Sequence, residues 1–210
     1  CHKYGMEPLV TITHFDCPMN LIKKYGAWRN RKMVDFYENL CNAIFNRYKG
    51  LVKYWLTFNE INMILHAPFM GAGICFEEGE NKEQVKYQAA HHELVASAIA
   101  TKIAHEVDPN NKVGCMLAAG DTYPYTCNPN DVLMAMERNR ENYFFVDVQS
   151  RGEYPAYALK EMERKNINIK MEDGDKEILK KHTVDFISFS YYSSRCVSAD
   201  PEVNKITEGN

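Results

Sequence analysis

Glu60 is the residue of this 210-residue chain whose type and position best suit acid–base chemistry. It comes directly after the segment 52–58, a run of aromatic and β-branched residues that predicts a buried strand. A carboxyl group beside such a strand is partly desolvated, and burial raises its pKa towards the range that a general acid needs. The ordinary alternative stays open: a solvated Glu that begins the next helix or pairs with a Lys or an Arg.

Further groups able to contact a ligand follow each of the predicted strands. Parallel strands of an α/β fold run the same way, so the residues after them share one edge of the sheet. Imidazole, carboxamide, carboxylate and phenol groups at one edge suit a polyhydroxylated ligand. The side chains expected there are His14, Asp16, Asn59, Glu60, Asp121, Tyr123, Tyr125, Tyr191 and Tyr192.

Three of these side chains have alternatives that the residues alone leave open. His14 could hydrogen-bond a sugar hydroxyl, act as a base, or have a purely structural place. Tyr191 and Tyr192 point to opposite sides if the last strand continues through them, so at most one would face the ligand.

Trp28 and Trp55 are predicted to be core aromatics.

The elements that position these groups alternate between strand and helix. Near-continuous apolar runs predict strands covered on both faces, and apolar residues three or four apart predict helices. This order is typical of a parallel sheet, and no flexible linker divides residues 1–210. We predict strands at 9–13, 52–58, 113–117 and 184–190, and helices at 31–48, 83–107, 130–148, 156–164 and 175–181.

The composition argues against several classes of protein. The 25 Lys and Arg residues nearly balance the 28 Asp and Glu residues, so we expect no nucleic-acid partner. No apolar stretch approaches the roughly 20 residues that span a bilayer, so we expect no membrane partner. Seven cysteines without a C-x-x-C pair predict a reducing, cytoplasmic setting, with the thiols mostly in the core. The chain starts without Met or a signal-peptide pattern, as if entered in the middle.

Two short motifs resemble binding sites but lack the necessary context. His91-His92-Glu93 does not have the His-Glu-x-x-His spacing that puts two imidazoles on one helical face, so we assign it to a helix surface and expect no metal. Gly71-Ala72-Gly73 is not followed by Lys-Ser or Lys-Thr, which argues against a phosphate loop.

Several longer segments, taken together, resemble glycoside hydrolase family 1. They occur in the order and at the spacing of that family, and Thr57-Phe58-Asn59-Glu60 is similar to its acid/base motif. The resemblance implies an α/β fold: a partial (β/α)8 TIM barrel, approximately strands three to six of eight, over residues 1–210. The matching segments are 8–16, 25–31, 54–60, 142–155 and 185–192.

Departures from the commonest family spelling resemble the 6-phospho-β-glucosidase branch. They are Phe15 in place of Trp, Ser190 in place of Asn, and Ile61-Asn62 where many members have Pro after the acid/base Glu. The resemblance to this branch implies a cytoplasmic enzyme that hydrolyses 6-phosphorylated β-glucosides with retention, without metal or cofactor.

The same resemblance implies a role for four residues. Glu60 would be the general acid/base, Asn59 would bind the sugar 2-hydroxyl, and His14 would bind the 3-hydroxyl. Tyr192 would hold the carboxylate of the nucleophile.

The second carboxylate of a retaining site is not found in the sequence. A nucleophile about 5 Å from the acid/base is required, and the family places it in a Glu-Asn-Gly motif. This motif is absent, and Glu208-Gly209-Asn210 has a different order. Asp121 and Glu153 are the alternative nucleophiles, although neither lies in a matching motif.

We therefore expect a central fragment that carries the acid/base half of the site and is inactive alone. An ordinary family 1 β-glucosidase fragment and a truncated, catalytically inert sugar-binding protein remain as alternatives. We also expect such a fragment to be able to associate with another copy of itself or with another chain through the unpaired strands at the barrel edges.

Overall fold

Four parallel strands form the main sheet. The computed structural model describes residues 1–207, and the Glu208-Gly209-Asn210 segment lies outside the described residues. The described residues contain six strands, of which four belong to this sheet. They are β1 (Leu9–Thr13), β2 (Tyr54–Phe58), β3 (Lys112–Ala118), β4 (Thr122–Pro124), β5 (Phe186–Ser190) and β6 (Arg195–Val197). The main sheet has the order β1-β2-β3-β5, while β4 and β6 pair in a separate two-stranded sheet.

Helices connect the strands and cover the sheet. Within the described part of the chain they are α1 (Met19–Tyr25), α2 (Lys32–Arg47), α3 (Met63–His66), α4 (Pro68–Ala72), α5 (Lys82–Val107), α6 (Pro129–Arg151), α7 (Ala156–Arg164), α8 (Asp175–Lys181) and α9 (Pro201–Thr207). Two 3-10 turns lie at His2–Tyr4 and Ala27–Arg29.

The four predicted strands and five predicted helices are all present. The bounds of β1, α7 and α8 are those predicted, and the ends of α2, α5 and α6 differ by three residues or fewer. The elements that were not predicted are α1, α3, α4, α9, β4 and β6, and none is longer than seven residues. Such short elements contain too few turns or alternations to give a periodic pattern.

The strands are in parallel register along the whole sheet. Val10 pairs with Trp55, Trp55 pairs with Val113, and Cys115 pairs with Ile187. Trp55 is buried and packs edge-on against Phe45 of α2, with ring centroids 4.9 Å apart. Trp55 is therefore a core aromatic, as predicted, and the apolar stripe of α2 holds that helix on the sheet.

Gly114 of β3 gives space to an aromatic ring on the neighbouring strand. A Cβ atom at this position would lie 2.3 Å from the ring of Phe186, the first residue of β5. Contacts this short do not occur between real side chains, so only the absence of a side chain at Gly114 lets the ring lie this close to β3. Tyr54 of β2 meets the same ring edge-on at 6.3 Å.

One face of β5 differs from the prediction that the strands are covered on both sides. Ile187 is 55% exposed and Phe189 is 61% exposed. Together with Leu117 of β3 and Val146 of α6 they line an open groove beside the sheet. β5 pairs with β3 alone in the described residues, so it is an edge strand.

The prediction that His91-His92-Glu93 lies on a helix surface is wrong. All three side chains are buried, because α5 runs through the middle of the helical layer and is covered on almost every side. His92 Nδ1 lies 2.8 Å from the carbonyl oxygen of Trp28, a residue that is itself buried as predicted. The sequence pattern of α5 showed one apolar stripe and gave no sign of this all-round burial.

His91 belongs to a buried polar network that joins three helices. Arg31, just before α2, donates two hydrogen bonds to Asp175 at the start of α8, at 2.9 and 2.6 Å. Burial lowers the pKa of His91, which leaves a neutral ring. Its Nε2–H then donates to Asp175 at 2.9 Å, and its Nδ1 accepts from the hydroxyl of Tyr154 at 3.0 Å.

The cysteines are less buried than predicted. All seven are free thiols, but only Cys41 and Cys115 are buried, and Cys17 is half-buried. The other four are exposed, because they lie in turns and short elements at the surface: Cys1, Cys75, Cys127 and Cys196.

Candidate active site

Glu60 lies where β2 leaves the sheet, and the residues on its two sides are hydrogen-bonded to different neighbouring strands. The amide of Asn59 donates to the carbonyl of Thr13 at the end of β1, at 2.9 Å. The amide of Ile61 donates to the carbonyl of Met116 in β3, at 3.1 Å. Glu60 is therefore held between β1 and β3 at the carboxyl end of the sheet.

The backbone of Glu60 is in the left-handed region, with φ of +44°. For a residue with a long side chain this conformation is strained and persists only where the surrounding structure enforces it. Phe15, which follows β1 in the same way, has φ of +65°. Such strain is concentrated at functional sites, and here it occurs at the carboxyl ends of two adjacent strands.

The carboxyl group of Glu60 is shielded but still accessible. The residue is 8% exposed, as is its neighbour Asn59. Within residues 1–207, neither the Glu60 carboxylate nor the Asn59 carboxamide is committed to a side-chain hydrogen bond. Both groups are thus available to a ligand that enters from the open edge of the sheet.

Buried polar groups behind β2 support this segment. The hydroxyl of Tyr37 donates to the carbonyl of Thr57 at 2.6 Å. The Thr57 hydroxyl lies 2.9 Å from the hydroxyl of Ser97 on α5, which also accepts from the carboxamide of Gln149 at 2.9 Å. These bonds fix the end of β2 against α2, α5 and α6.

Aromatic rings pack immediately below Asn59 and Glu60. Phe58 stacks on Tyr37 at a centroid distance of 4.7 Å and meets Trp28 edge-on at 5.3 Å. All three rings are buried. The site therefore has a rigid base, which favours accurate placement of the groups above it.

His14 and Asn59 come together at neighbouring strand ends, as predicted. Thr13 pairs with Phe58, so the two residues that follow this pair are adjacent. His14 is exposed, and its amide donates to a carboxylate oxygen of Asp16 at 2.9 Å. His14 is therefore accessible to solvent at a strand end that neighbours the strand end of Asn59.

Tyr192 lies at the same edge but beyond the end of its strand. β5 ends at Ser190, which pairs with Ala118, so the strand does not continue through the two tyrosines. Tyr192 is 84% exposed, and the hydroxyl of Tyr191 is hydrogen-bonded to that of Ser194. The alternation expected for a continuing strand therefore does not apply.

The two alternative nucleophiles have different surroundings. Asp121 is at the carboxyl edge, where its carbonyl accepts from the amide of Arg195 as β4 and β6 come together. Glu153 is exposed and pairs with Lys180 at 3.2 Å. Lys180 lies in α8, which leads into the start of β5, so Glu153 is at the opposite edge of the sheet. This placement removes Glu153 from the site.

The structure also reveals a polar group that the sequence reasoning missed. Asn62 is 1% exposed, and its carboxamide forms hydrogen bonds with both backbone groups of Ala118. Asn142 of α6 contacts Asn62 and also accepts from His66 at 2.7 Å. Asn62 stood out in the sequence only as a departure from the common spelling after the acid/base Glu.

Glu93 is another buried carboxyl group and lies in α5. It is 1% exposed, and its Oε1 has no hydrogen-bond partner among the described residues. Burial raises its pKa well above the ordinary value, which favours the neutral form of the acid in the folded chain. Burial, together with Glu93 and Asp16, also raises the pKa of the nearby Cys17 thiol to about 11.

No group of three or more His, Cys, Asp or Glu side chains in residues 1–207 is arranged to hold a metal ion. No helix in that part of the chain has the length and apolar character needed to cross a membrane.

Comparison with known proteins places this arrangement in a family. The sequence profile of Glycosyl hydrolase family 1 matches residues 1–210. The chain belongs to glycosyl hydrolase family 1. The resemblance inferred from the five sequence segments is thereby confirmed.

Characterised members of the family align with the whole chain. It is 61% identical to 6-phospho-beta-glucosidase AscB of Escherichia coli (strain K12), covering 100% of this chain and 44% of that protein. It is 54% identical to aryl-phospho-beta-D-glucosidase BglH of Bacillus subtilis (strain 168), covering 99% of this chain and 44% of that protein. The chain thus spans less than half the length of these relatives.

The fold comparison agrees. The family 1 β-glucosidase from Thermotoga maritima superposes with a TM-score of 0.79 at 28% identity, over 95% of this chain and 44% of that one. The four parallel strands with their helices are therefore part of a (β/α)8 barrel, as predicted.

Proposed function

We propose that this chain forms the acid/base part of a retaining 6-phospho-β-glucosidase. The observation that carries the proposal is Glu60: shielded, strained, and held at the carboxyl ends of parallel strands, where barrel enzymes have their catalytic groups. The printed names of relatives at 61% and 54% identity support a phosphorylated β-glucoside as the substrate.

Each neighbouring group has a role in this proposal. Glu60 protonates the glycosidic oxygen as the bond breaks, and then removes a proton from the water that releases the sugar. Asn59 binds the 2-hydroxyl and His14 the 3-hydroxyl. Tyr192 orients the nucleophilic carboxylate, which we propose comes from a segment outside this chain. A cytoplasmic location is part of the proposal and is supported by the seven free thiols.

The proposal can be tested with the complete open reading frame that encodes this chain. Hydrolysis of phenyl and 2,4-dinitrophenyl 6-phospho-β-glucosides is compared for the unaltered protein and Glu60→Gln. Phenolate is a poor leaving group that needs a proton, so kcat/KM for its release should fall by about 10²–10⁴-fold, while kcat/KM for dinitrophenolate release should change far less. The kcat for the dinitrophenyl substrate should fall, because attack of water on the glycosyl-enzyme loses its general base. Azide should raise turnover of the dinitrophenyl substrate by attacking the glycosyl-enzyme in place of water, and it should yield the 6-phospho-β-glucosyl azide.

Two outcomes would contradict the proposal. Equal rates of phenol release by Glu60→Gln and the unaltered protein would remove Glu60 from the acid/base role. Faster hydrolysis of the unphosphorylated glucosides would favour an ordinary β-glucosidase instead. Glu153→Gln is a matched control, because it replaces an exposed carboxylate at the opposite edge of the sheet.

A further inference from the structure

Hydrogen bonds between the chain of β2 and strand β3 continue beyond the point where the backbone of β2 turns away from the sheet. Regular pairing runs to Leu56 opposite Gly114. Beyond that point the amide of Ile61 donates to Met116, and the carboxamide of Asn62 reaches Ala118. The chain therefore loops out from the sheet at Glu60 and contacts β3 again immediately after it.

The Asn62 side chain imitates a strand residue in this second contact. Its Oδ1 accepts from the amide of Ala118 at 2.9 Å, and its Nδ2 donates to the carbonyl of Ala118 at 3.0 Å. One carboxamide thus satisfies both backbone groups of Ala118, which a paired strand would do with two successive peptide units. Because the residue is 1% exposed, solvent cannot replace these bonds.

A second carboxamide fixes Asn62 from the side of α6. The Oδ1 of Asn142 accepts from Asn62 Nδ2 at 3.0 Å and from His66 Nε2 at 2.7 Å. His66 is the last residue of α3, which begins directly after Asn62. The segment that follows Glu60 is therefore attached at both ends to elements outside it.

We propose that Asn62 is a positioning residue for Glu60. By taking the place of the missing β2 backbone opposite Ala118, Asn62 supports the left-handed turn that directs the Glu60 carboxyl group to the open edge. The inference rests on the proposed function, because it gives that carboxyl group the acid/base role. The inference adds that correct placement of the Glu60 carboxyl group depends on the buried carboxamide of Asn62, two residues further along the chain.

The test is substitution of Asn62 in the complete open reading frame. Asn62→Asp keeps the shape and the acceptor but loses the donor to Ala118 and Asn142. We expect kcat for the phenyl 6-phospho-β-glucoside to fall about 10- to 100-fold, a part of the general-acid contribution, with KM changed less than about twofold. The kcat/KM for the dinitrophenyl substrate, which reports the first step alone, should change less than about threefold, because that leaving group needs little protonation.

A purely structural role would give a different result. Loss of folded protein lowers both rates by the same factor, so equal losses for the two substrates would overturn the inference, as would no loss for either. Asn142→Ala provides a milder variant, since it removes the lateral bond but keeps both bonds to Ala118. The same leaving-group dependence should appear there at about 3- to 10-fold, within the range of one lost buried hydrogen bond. Asn46→Asp, at an exposed position of α2, is the control.

The outcome can be separated from that of the proposed function. Glu60→Gln is measured in the same series, and if it shows no leaving-group dependence the proposed function fails. Whether Asn62 holds the Glu60 turn is then decided separately by hydrogen exchange of the peptide that covers 59–65, which needs no activity. Faster exchange in Asn62→Asp than in Asn46→Asp supports it, and unchanged exchange overturns it.

Discussion

Arg31 and Asp175, 144 residues apart in sequence, form a two-point hydrogen-bonded ion pair between the start of α2 and the start of α8. The Asp175 side chain is 2% exposed and also accepts a hydrogen bond from the backbone amide of Glu172 at 2.9 Å. Burial alone would raise the pKa of Asp175, but the bonds from Arg31, His91 and this amide outweigh it and lower the pKa. The pair therefore joins the first and last parts of the helical layer.

Asp175→Asn is expected to lower the free energy of unfolding by about 2–3 kcal/mol. Loss of one partner leaves the other charge uncompensated, and the partial exposure of Arg31 keeps the effect below the about 3–5 kcal/mol of fully buried pairs. Urea denaturation monitored by tryptophan fluorescence measures the change. Glu172→Gln, which removes a more exposed contact to Arg31, should cost less than about 1 kcal/mol. A similar cost for both variants would contradict the importance of the buried pair.

Glu93→Gln should stabilise the protein increasingly as the pH rises above about 4.5, the ordinary range of a Glu side chain. Burial raises the pKa of Glu93 in the folded state, so the neutral form is favoured there while the group ionises freely in the unfolded chain. The contribution of Glu93 to the free energy of unfolding is fully present below its pKa in the unfolded chain, and it is lost as the pH rises through its pKa in the folded protein.

Urea midpoints at pH 5 and pH 8 measure this difference. The stability gain of Glu93→Gln over the unaltered chain should be larger at pH 8. Glu106→Gln replaces an exposed carboxylate on the same helix and should show no such trend. If the gain of Glu93→Gln is the same at both pH values, the Glu93 carboxyl is not held neutral by the fold.

Tyr37→Phe should destabilise the protein by about 1 kcal/mol, because it removes a buried hydrogen bond to the carbonyl of Thr57 and keeps the ring. The stack on Phe58 would be preserved, so the loss reports the hydroxyl. Thermal unfolding followed by circular dichroism gives the value. Tyr48→Phe, at an exposed position just after the same helix, is expected to stay within about 0.5 kcal/mol of the unaltered chain.

Thiol labelling should divide the cysteines into two groups. The four exposed thiols should react rapidly with Ellman's reagent in the folded protein. Burial raises the pKa of Cys41 to about 12 and that of Cys115 to about 11, and neither thiol is accessible. These two should react only after denaturation, with Cys17 between the extremes. Rapid labelling of six or seven thiols under native conditions would show that the core is open.

Much of the architecture was predictable because long elements carry their own periodicity. The 16-residue α2 and the 26-residue α5 repeat their patterns over several turns, and the apolar strands are bounded by charged or turn residues. The short pair β4 and β6 was missed because three residues cannot show an alternation. The burial of His91-His92-Glu93 was also not predicted, because nothing in the local sequence indicates that other helices cover these side chains.

The same limit applies to the candidate site. Asn59 and Glu60 were recognisable because both follow a strand, which is a local feature of the sequence. The role proposed for Asn62 depends on Ala118 and Asn142, which are 56 and 80 residues away, and only the folded chain brings them together. The exposure of Tyr192 likewise depends on where β5 ends, which its residue types do not determine.

The close approach of Gly114 to Phe186 has an evolutionary consequence. Because a Cβ at 114 and the ring at 186 would occupy the same space, the two positions cannot vary independently. Among family members, a larger residue at 114 should be accompanied by a smaller or differently shaped one at 186. These two positions, on adjacent strands, should therefore covary.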